Sequence, residues 1–426
     1  MKDLIKSDFT KNVIKHFSGT AGANLITIIS LPILTRIYSP DDFGLFQLML
    51  STVLTFSVIS SLKLELAVVI PKYNVVSNTV FKLALIVLLI TTTIFTLLFF
   101  LLGELILSFL NAEKLSPYVL YISFGIFANG LFQLVQYVPI RKKEYSFLAR
   151  TKIIQSGLSQ SSSLTAGLLG ANFLGLYLSM VAGLLLNVLL LLRKKKDLFS
   201  IPSKKRLLTV LKRYKKFPLI NTPMTFLNTA ANELPVFMFT FYFGPEVVGF
   251  YMAANRLIKR PISMIGQSLS QVYFQSASEA YNKGGSYIIK LFRKTVFRMS
   301  LLVGFPLLVV VFWGPDLISL ILGNEWRVSG VYMQILSFWL FFQLVNYTVG
   351  TTFLIIDKQE IGFYLIIISL IVRFLSMYIF RETVIEMMIA LSISAGLFYF
   401  IYIIVMYLLL KKKIEGNKYS QVKSNS

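Results

Sequence analysis

Long runs of apolar residues, separated by short polar segments, recur along the whole chain. Each run is long enough to cross about 30 Å of hydrocarbon as an α-helix that rises about 1.5 Å per residue. We count about twelve such runs. Their centres lie near Ile28, Leu54, Thr91, Ala128, Gln160, Ala182, Asn228, Ser263, Gly304, Phe341, Ser369 and Gly396. The pattern predicts an all-α integral membrane protein with about twelve transmembrane helices.

A short motif that occurs twice indicates that the chain contains two related halves. The segment Pro40–Gly44 recurs as Pro245–Gly249, with an acid directly after the Pro and an aromatic two residues after the Gly. Each copy follows an apolar run that begins at Leu-Pro. Such doubling is typical of transporters. We interpret the motif as a structural outer turn between the first two spans of each half, rather than as a binding site.

The distribution of Lys and Arg over the predicted loops sets the orientation, because cytoplasmic loops hold the excess of these residues. One alternate set of loops is basic and includes Arg141–Lys143 and the segment 193–216, whereas the other set is acidic or sparse. An even number of spans with both termini in the cytoplasm satisfies every loop. The two six-helix lobes then share one orientation, related by a pseudo-twofold axis along the membrane normal, with a cavity between them.

The basic segment divides the chain into domains. We predict an N-terminal six-helix lobe, a basic cytoplasmic linker, a C-terminal six-helix lobe and a cytoplasmic tail at 1–192, 193–216, 217–413 and 414–426. Within the linker, Leu207, Leu208, Leu211 and Tyr214 recur at helical spacing beside Lys and Arg residues. This spacing favours an amphipathic helix on the anionic inner leaflet, although a basic tether that follows the positive-inside bias explains the same residues.

Composition excludes several classes of protein. With 56% hydrophobic and 14% charged residues and a mean hydropathy of +0.72, the chain is not an ordinary soluble domain. The net charge of +23 does not indicate a nucleic-acid partner, because the cations lie at helix ends and on alternate loops. Without Cys and with a single His, neither a disulfide framework nor a thiolate metal site is expected, and no cofactor is predicted.

Polar side chains within the spans indicate the candidate pathway, because lipid-facing positions should be apolar. Asn129 and Gln133 share one face of the fourth span, Asn228 and Asn232 lie in the seventh, and Gln343 lies in the tenth. Such amides can hydrogen-bond to sugars, although polar contacts between helices produce the same pattern.

Cations within the spans are more discriminating, since a charge near a helix centre costs about 2.5 to 3.5 kcal/mol on insertion scales. Arg256, Lys259 and Arg260 share one face of the eighth span and should lie at membrane depth, unless they snorkel to an interface. Pro261 is expected to kink or break that helix. Together with Arg373 of the eleventh span, these cations predict a site for an anionic head group such as a pyrophosphate.

Arg36, Lys63, Glu65 and Glu233 are the remaining ionisable residues of the predicted spans. Glu65 and Glu233 either pair with cations as structural partners or titrate as a coupling site. Arg36 and Lys63 lie near the ends of their spans, where snorkelling explains them equally well.

The residues resemble a known family at the start of each half. The relevant segments are Leu31–Gly44, Leu62–Ala67, Asn232–Pro235, Gly244–Tyr251 and Ala254–Arg256. They resemble the Wzx-type polysaccharide flippases of the multidrug/oligosaccharidyl-lipid/polysaccharide (MOP) exporter superfamily, and the resemblance covers essentially the whole chain. It implies a transporter, not an enzyme, in the bacterial cytoplasmic membrane. Its substrate would be a polyprenyl-pyrophosphate-linked oligosaccharide, moved from the cytoplasmic to the outer leaflet by alternating access between two lobes.

The resemblance also implies partners. Besides membrane lipids, a polysaccharide polymerase and glycosyltransferases would act in the same synthesis. Cell-wall precursor flippases of this fold carry further arginines in the first span, where this chain has Asn24, Thr27 and Ser30. The difference favours a capsule, O-antigen or exopolysaccharide unit. Whether H+ or Na+ drives transport is left open.

Two alternative functions fit the sequence less well than a flippase does. A MATE-like cation-coupled drug exporter should favour acids and aromatics over Arg256, Lys259 and Arg260. A membrane-embedded polysaccharide polymerase or ligase would need a large outer loop and a catalytic motif, and the sequence contains neither. The candidate substrate-binding residues are therefore Arg36, Lys63, Glu65, Asn129, Gln133, Asn228, Asn232, Glu233, Arg256, Lys259, Arg260, Gln343 and Arg373.

Overall fold

A computed structural model describes residues 8–193, 202–282 and 287–424, which form fifteen α-helices joined by short turns. In the first half these are α1 (Asp8–Leu34), α2 (Pro40–Ser60), α3 (Asn74–Phe109), α4 (Val119–Val135), α5 (Tyr137–Arg141), α6 (Tyr145–Leu168) and α7 (Phe173–Leu192). The short α8 (Lys204–Arg213) follows. The second half contains α9 (Thr222–Phe243), α10 (Pro245–Asn282), α11 (Tyr287–Leu322), α12 (Arg327–Val349), α13 (Thr352–Ile355), α14 (Gln359–Ile379) and α15 (Val384–Ser424). The all-α prediction is confirmed.

The order of helices repeats, as the twice-occurring motif predicts. The third helix of each half, α3 and α11, is 36 residues long. A 3-10 turn precedes the fourth helix in both halves, at Glu113–Tyr118 and at Asn324–Trp326. A very short helix, α5 or α13, then follows the fourth. The doubling therefore extends beyond the motif to the lengths and order of the helices.

Eight of the helical stretches described are long and apolar enough to cross a membrane, fewer than the twelve or so counted from the sequence. They are Pro40–Ser60, Asn74–Phe109, Glu113–Arg141, Phe173–Leu192, Tyr287–Leu322, Asn324–Ile355, Glu360–Ile379 and Val384–Glu415. The runs centred at Ile28, Gln160, Asn228 and Ser263 also form helices, namely α1, α6, α9 and α10. Polar and charged side chains lower the mean hydropathy of α6, α9 and α10, and in α1 the segment Thr20–Leu34 is apolar.

Large apolar side chains cover the outside of the long helices. Phe100 and Leu101 on α3 are 71% and 73% exposed, and Phe305 and Leu320 on α11 are 74% and 78% exposed. A surface this apolar would not be stable in water, because contiguous exposed apolar area drives association. The protein is a multi-pass integral membrane protein, and these side chains have the character of a lipid-facing surface.

The packing divides the chain into two compact units, Met1–Gly249 and Phe250–Ser426. In the first unit α1 packs on α6, α6 on α7, and α2 on α4, α7 and α9. In the second unit α12 packs on α11 and α15, and α14 packs on α15. Because the first unit includes α9, it extends past the predicted linker, and the lobe boundaries deduced from the sequence stay a prediction.

Helix α8 forms at the predicted place, but only part of the predicted apolar face is buried, since Leu208 and Leu211 are 48% and 37% exposed. Val210 and the following Tyr214 are buried in an apolar cluster with Val80 and Phe81 of α3. The cations of the helix are exposed on its other side: Lys204, Lys205, Arg206, Lys212 and Arg213. The helix is therefore docked on the first unit through its apolar face.

The repeated motif forms the first turn of a helix and not the preceding loop. Ser39 caps α2, since its Oγ accepts a hydrogen bond from the Asp42 N–H at 3.2 Å and its own N–H donates to Asp42 Oδ2 at 3.2 Å. Pro40 occupies the first helical position, where a missing N–H costs nothing. Asp42 Oδ1 also accepts a hydrogen bond from the Phe173 N–H at 2.9 Å, which ties α2 to the start of α7.

The two copies of the motif contact each other reciprocally within the first unit. A Cβ atom on Gly44 would lie 1.7 Å from the carbonyl oxygen of Pro245, and one on Gly249 would lie 1.9 Å from the carbonyl oxygen of Pro40. No side chain can occupy either space without moving backbone, so only Gly permits this approach. The spacing of four residues puts Pro and Gly on one face of each helix, and α2 and α10 cross at these faces.

We predict that Gly44→Ala destabilises the protein by about 1 to 3 kcal/mol, because the added methyl group must push the α10 backbone away. The melting temperature of purified protein in detergent measures the effect. Gly157→Ala in α6 is the matched control, since a Cβ there meets nothing within 4 Å. Its expected effect is neutral to stabilising. Equal melting temperatures for the two variants would contradict the crossing.

Candidate functional site

The first group of predicted site residues forms a buried polar cluster in the first unit. We call Ser57, Ser61, Lys63, Glu65, Asn129 and Gln133 the first cluster. The Nζ atom of Lys63 lies 3.3 Å from Glu65 Oε1 and donates to Gln133 Oε1 at 3.4 Å. Ser57 Oγ accepts hydrogen bonds from Asn129 at 2.7 Å and from Gln133 at 3.2 Å, and Ser61 Oγ donates to Glu65. Four residues predicted from the sequence therefore lie together: Lys63, Glu65, Asn129 and Gln133.

The backbone turns sharply to place these two charges. Leu62 and Lys63 both have positive φ angles, 50° and 56°, directly after α2. Non-glycine residues in this region store strain that the surrounding structure must offset. Glu65 is only 1% exposed, and its ion pair with Lys63 stabilises the turn through the two side chains. Glu65 therefore has a cation partner, one of the two roles that the sequence left open.

Because its charges are mutually compensated, the first cluster is suited to holding structure. Removing one partner of a buried ion pair leaves an uncompensated charge and costs about 3 to 5 kcal/mol. Removing both in favour of apolar residues costs much less.

We therefore predict that Glu65→Ala lowers the melting temperature more than the double substitution Lys63→Met/Glu65→Leu does. Thermal unfolding in detergent is the measurement. Lys114→Ala is the control, since the Lys114–Asp41 pair is exposed and worth at most about 1 kcal/mol. If the double variant were the less stable of the two, the pair would have a role beyond charge compensation.

On α9 the predicted polar residues divide between two environments. Glu233 faces α2, where its Oε2 accepts a hydrogen bond from Ser51 Oγ at 2.5 Å. Asn228 and Asn232 are exposed on α9, and Asn232 Nδ2 donates back to the Asn228 carbonyl at 2.8 Å. Arg36 is exposed in the turn after α1 and does not join the first cluster.

In the second unit, Arg256, Lys259 and Arg260 are half-buried on α10. The predicted break at Pro261 is wrong, because α10 continues to Asn282. A Pro inside a helix leaves one carbonyl, here that of Leu257, without its N–H partner, and surrounding helices can tolerate this loss.

Arg373 on α14 has the most unusual environment of the predicted residues. It is 3% exposed, and its guanidinium carbon lies 5.4 Å from the Trp339 ring centre, 5.7 Å from that of Phe398 and 5.5 Å from that of Tyr399. We call these four residues the arginine cage. In the part of the chain that the structure describes, no acidic side chain pairs with Arg373, and its Nε has no hydrogen-bond partner. Ring faces attract the cation, but they supply no acceptor oxygen.

Two other predicted residues lie beside the arginine cage. Gln343 Nε2 donates to the Tyr399 hydroxyl at 3.2 Å, and Lys259 Nζ lies 5.8 Å from the Trp339 ring centre. The structure therefore brings together Lys259, Gln343 and Arg373, which come from three helices. Sequence reasoning missed Trp339, Phe398 and Tyr399. Trp339 lies one turn before Gln343 on the same face of α12, which was the available signal.

This part of the protein is positively charged and rich in hydrogen-bond donors. Among the described residues, no group of three or more His, Cys, Asp or Glu side chains could hold a metal ion. Cations and hydrogen-bond donors of this kind can bind a negatively charged group.

Comparison with known protein families identifies the family of this chain. A family model described as polysaccharide biosynthesis protein matches residues 33–331. The chain belongs to this family. No curated protein matches the sequence of this polysaccharide biosynthesis protein.

Solved structures show the fold of this polysaccharide biosynthesis protein. The inward closed form of the lipid II flippase MurJ is similar with a TM-score of 0.71 at 14% identity, over 92% of this chain and 89% of that one. An inward-facing multidrug resistance MATE family transporter of the MOP superfamily has a TM-score of 0.64 at 14% identity, over 93% and 95%. A MOP superfamily transporter from Pyrococcus furiosus, described as having a binding pocket of reverse polarity, has a TM-score of 0.50 at 14% identity, over 95% of both chains. The fold is that of MOP transporters.

Proposed function

We propose that this polysaccharide biosynthesis protein is a flippase. It moves polyprenyl-pyrophosphate-linked oligosaccharide units from the cytoplasmic to the outer leaflet by alternating access, for synthesis of a capsule, O-antigen or exopolysaccharide. The twelve-helix, two-lobed topology, with both termini in the cytoplasm, is part of the proposal. The observation that carries it is the buried guanidinium of Arg373, which has rings around it and no acidic partner among the described residues. A retained, uncompensated cation within a membrane protein is expensive and favours an anionic substrate.

The remaining cations support the same assignment. Arg256, Lys259 and Arg260 occupy successive turns of α10, where together with Arg373 they would contact the pyrophosphate or acidic sugars. The exposed amides of Asn228 and Asn232 on α9 would bind sugar hydroxyl groups. Arg36, exposed at the end of α1, remains a candidate contact at one end of the path.

Export of lipophilic cations is less well supported. Such a substrate needs acidic side chains that are available to it. Glu65 is paired with Lys63, and Glu233 accepts a hydrogen bond from Ser51. The arginine cage would repel a cation. MurJ, a lipid II flippase, is similar in fold, which is compatible with a lipid-linked substrate for this chain.

Cells that lack this protein should accumulate lipid-linked repeat units on the inner leaflet. Extraction of the lipid-linked units, together with a leaflet-specific accessibility assay, measures the accumulation. If the units reach the outer leaflet normally in such cells, the flippase proposal is wrong. Polymerised glycan at the surface should fall in parallel.

We expect Arg256→Ala to reach the membrane and to reduce transport about tenfold or more, the effect of losing one charge-assisted contact. Complementation of the deletion strain, normalised to the amount of protein in the membrane, is the measurement. Arg298→Ala, at an exposed position on α11, is the control and should complement fully. Normal transport by Arg256→Ala would remove the proposed α10 anion site.

A further inference from the structure

Buried polar atoms without hydrogen-bond partners concentrate beside the arginine cage. In the described ranges they include Trp339 Nε1, Gln343 Oε1 and Asn346 Oδ1 on α12, and Ser369 Oγ and Arg373 Nε on α14. The α12 residues are spaced four and three apart, and the α14 residues four apart, so each set shares one helix face. Each buried polar group without a partner costs about 1 to 3 kcal/mol. Five such groups in one region call for partners that the described chain itself does not supply.

The cage residues define the charge of the ligand. Arg373 presents an N–H group and a full positive charge, and Trp339 can only donate. The Tyr399 hydroxyl accepts from Gln343 Nε2, so its own proton is left to donate. These three donors, one of them on a cation, belong to one cluster, and no ion pair to Arg373 forms among the described residues. The complementary ligand is an anion.

Burial defines its size. Trp339 is 1% exposed, Arg373 3% and Gln343 4%. Side chains this enclosed favour contact with one small anionic group, such as a single carboxylate or a halide ion, because it needs the least movement around them. The unpartnered oxygens of Asn346 and Ser369, each one turn from a cage contact, would bind the hydroxyl groups or waters that accompany it.

We propose that Arg373, Trp339 and Tyr399 bind a monovalent anion inside the second unit. The ligand is either the carboxylate of an acidic sugar in the translocated glycan or free chloride. Only the first source rests on the proposed function. Anion binding itself is a property of the purified protein and does not depend on transport.

Tryptophan fluorescence tests the site, because the chain has three tryptophans and one is in the cage. In full-length protein with Trp313→Phe and Trp326→Phe, Trp339 is the sole reporter. Iodide bound at Arg373 should quench it saturably, and Arg373→Gln should weaken this binding about tenfold or more. Arg381→Gln is the matched control, since the Arg381 guanidinium also stacks on a ring, Tyr378 at 4.1 Å, but at an exposed position. Quenching that is linear in iodide, and equal in the Arg373→Gln variant, would overturn the proposal.

Competition in protein that retains Arg373 decides the question even if Arg373→Gln does not fold. Chloride, acetate and glucuronate are added against bound iodide, with glucose as the neutral control. Displacement by chloride alone indicates the free halide, and displacement by glucuronate and acetate indicates the acidic sugar. Displacement by none of them, or equally by glucose, overturns the site. Anion binding in a protein whose deletion causes no accumulation of lipid-linked units would overturn the flippase and leave the site intact.

Discussion

The carbonyl oxygens of Pro40 and Pro245 fill the space in which the side chains of residues 249 and 44 would begin. This reciprocal backbone contact brings the start of α10, and with it α9, against α2. Other contacts of the first unit depend on the same approach, including the Ser51–Glu233 hydrogen bond and the bond from Asn111 Nδ2 to the Phe241 carbonyl at 2.5 Å. A helix that belongs to the second half by sequence therefore packs in the first unit. The sequence predicts a division at 193–216, whereas packing divides the chain after Gly249.

The protein buries cations in two different ways. Lys63 is paired with Glu65 and surrounded by amides and hydroxyls, so its charge is compensated within the first cluster. Arg373 is surrounded by aromatic rings, whose faces stabilise a cation by about 2 kcal/mol when desolvated but leave its Nε–H without an acceptor. The first arrangement resembles a structural ion pair. The second leaves a net positive charge, which a bound anion would compensate. The proposed function therefore depends on residues of the second unit.

Much of the fold could be predicted from periodicity, because apolar runs of spanning length and a repeated motif are visible without coordinates. Eight spans are recognisable by length and hydropathy among the described residues, and the polar faces of α6 and α10 keep those helices below that criterion. The predicted break at Pro261 was wrong because neighbouring helices decide whether a proline interrupts a helix, and the sequence does not reveal those neighbours; the alternative, a kink, stays a prediction. Charged residues of the site could be found, since a cation in an apolar run is conspicuous. Phe398 and Tyr399 could not, because a ring that faces lipid and a ring that faces a guanidinium look alike in sequence.

The polar faces of these helices also affect how the chain enters the membrane during its synthesis. α1 packs against α6, and Ser156 of α6 donates to the Ala23 carbonyl at 2.8 Å and lies 3.3 Å from the Thr27 hydroxyl. The ribosome releases α6 only after α2, α3 and α4. α6 does not reach the hydropathy of an autonomous span, so its polar face depends on contacts with other helices such as α1. The contact between α1 and α6 therefore forms only after the intervening helices have been synthesised.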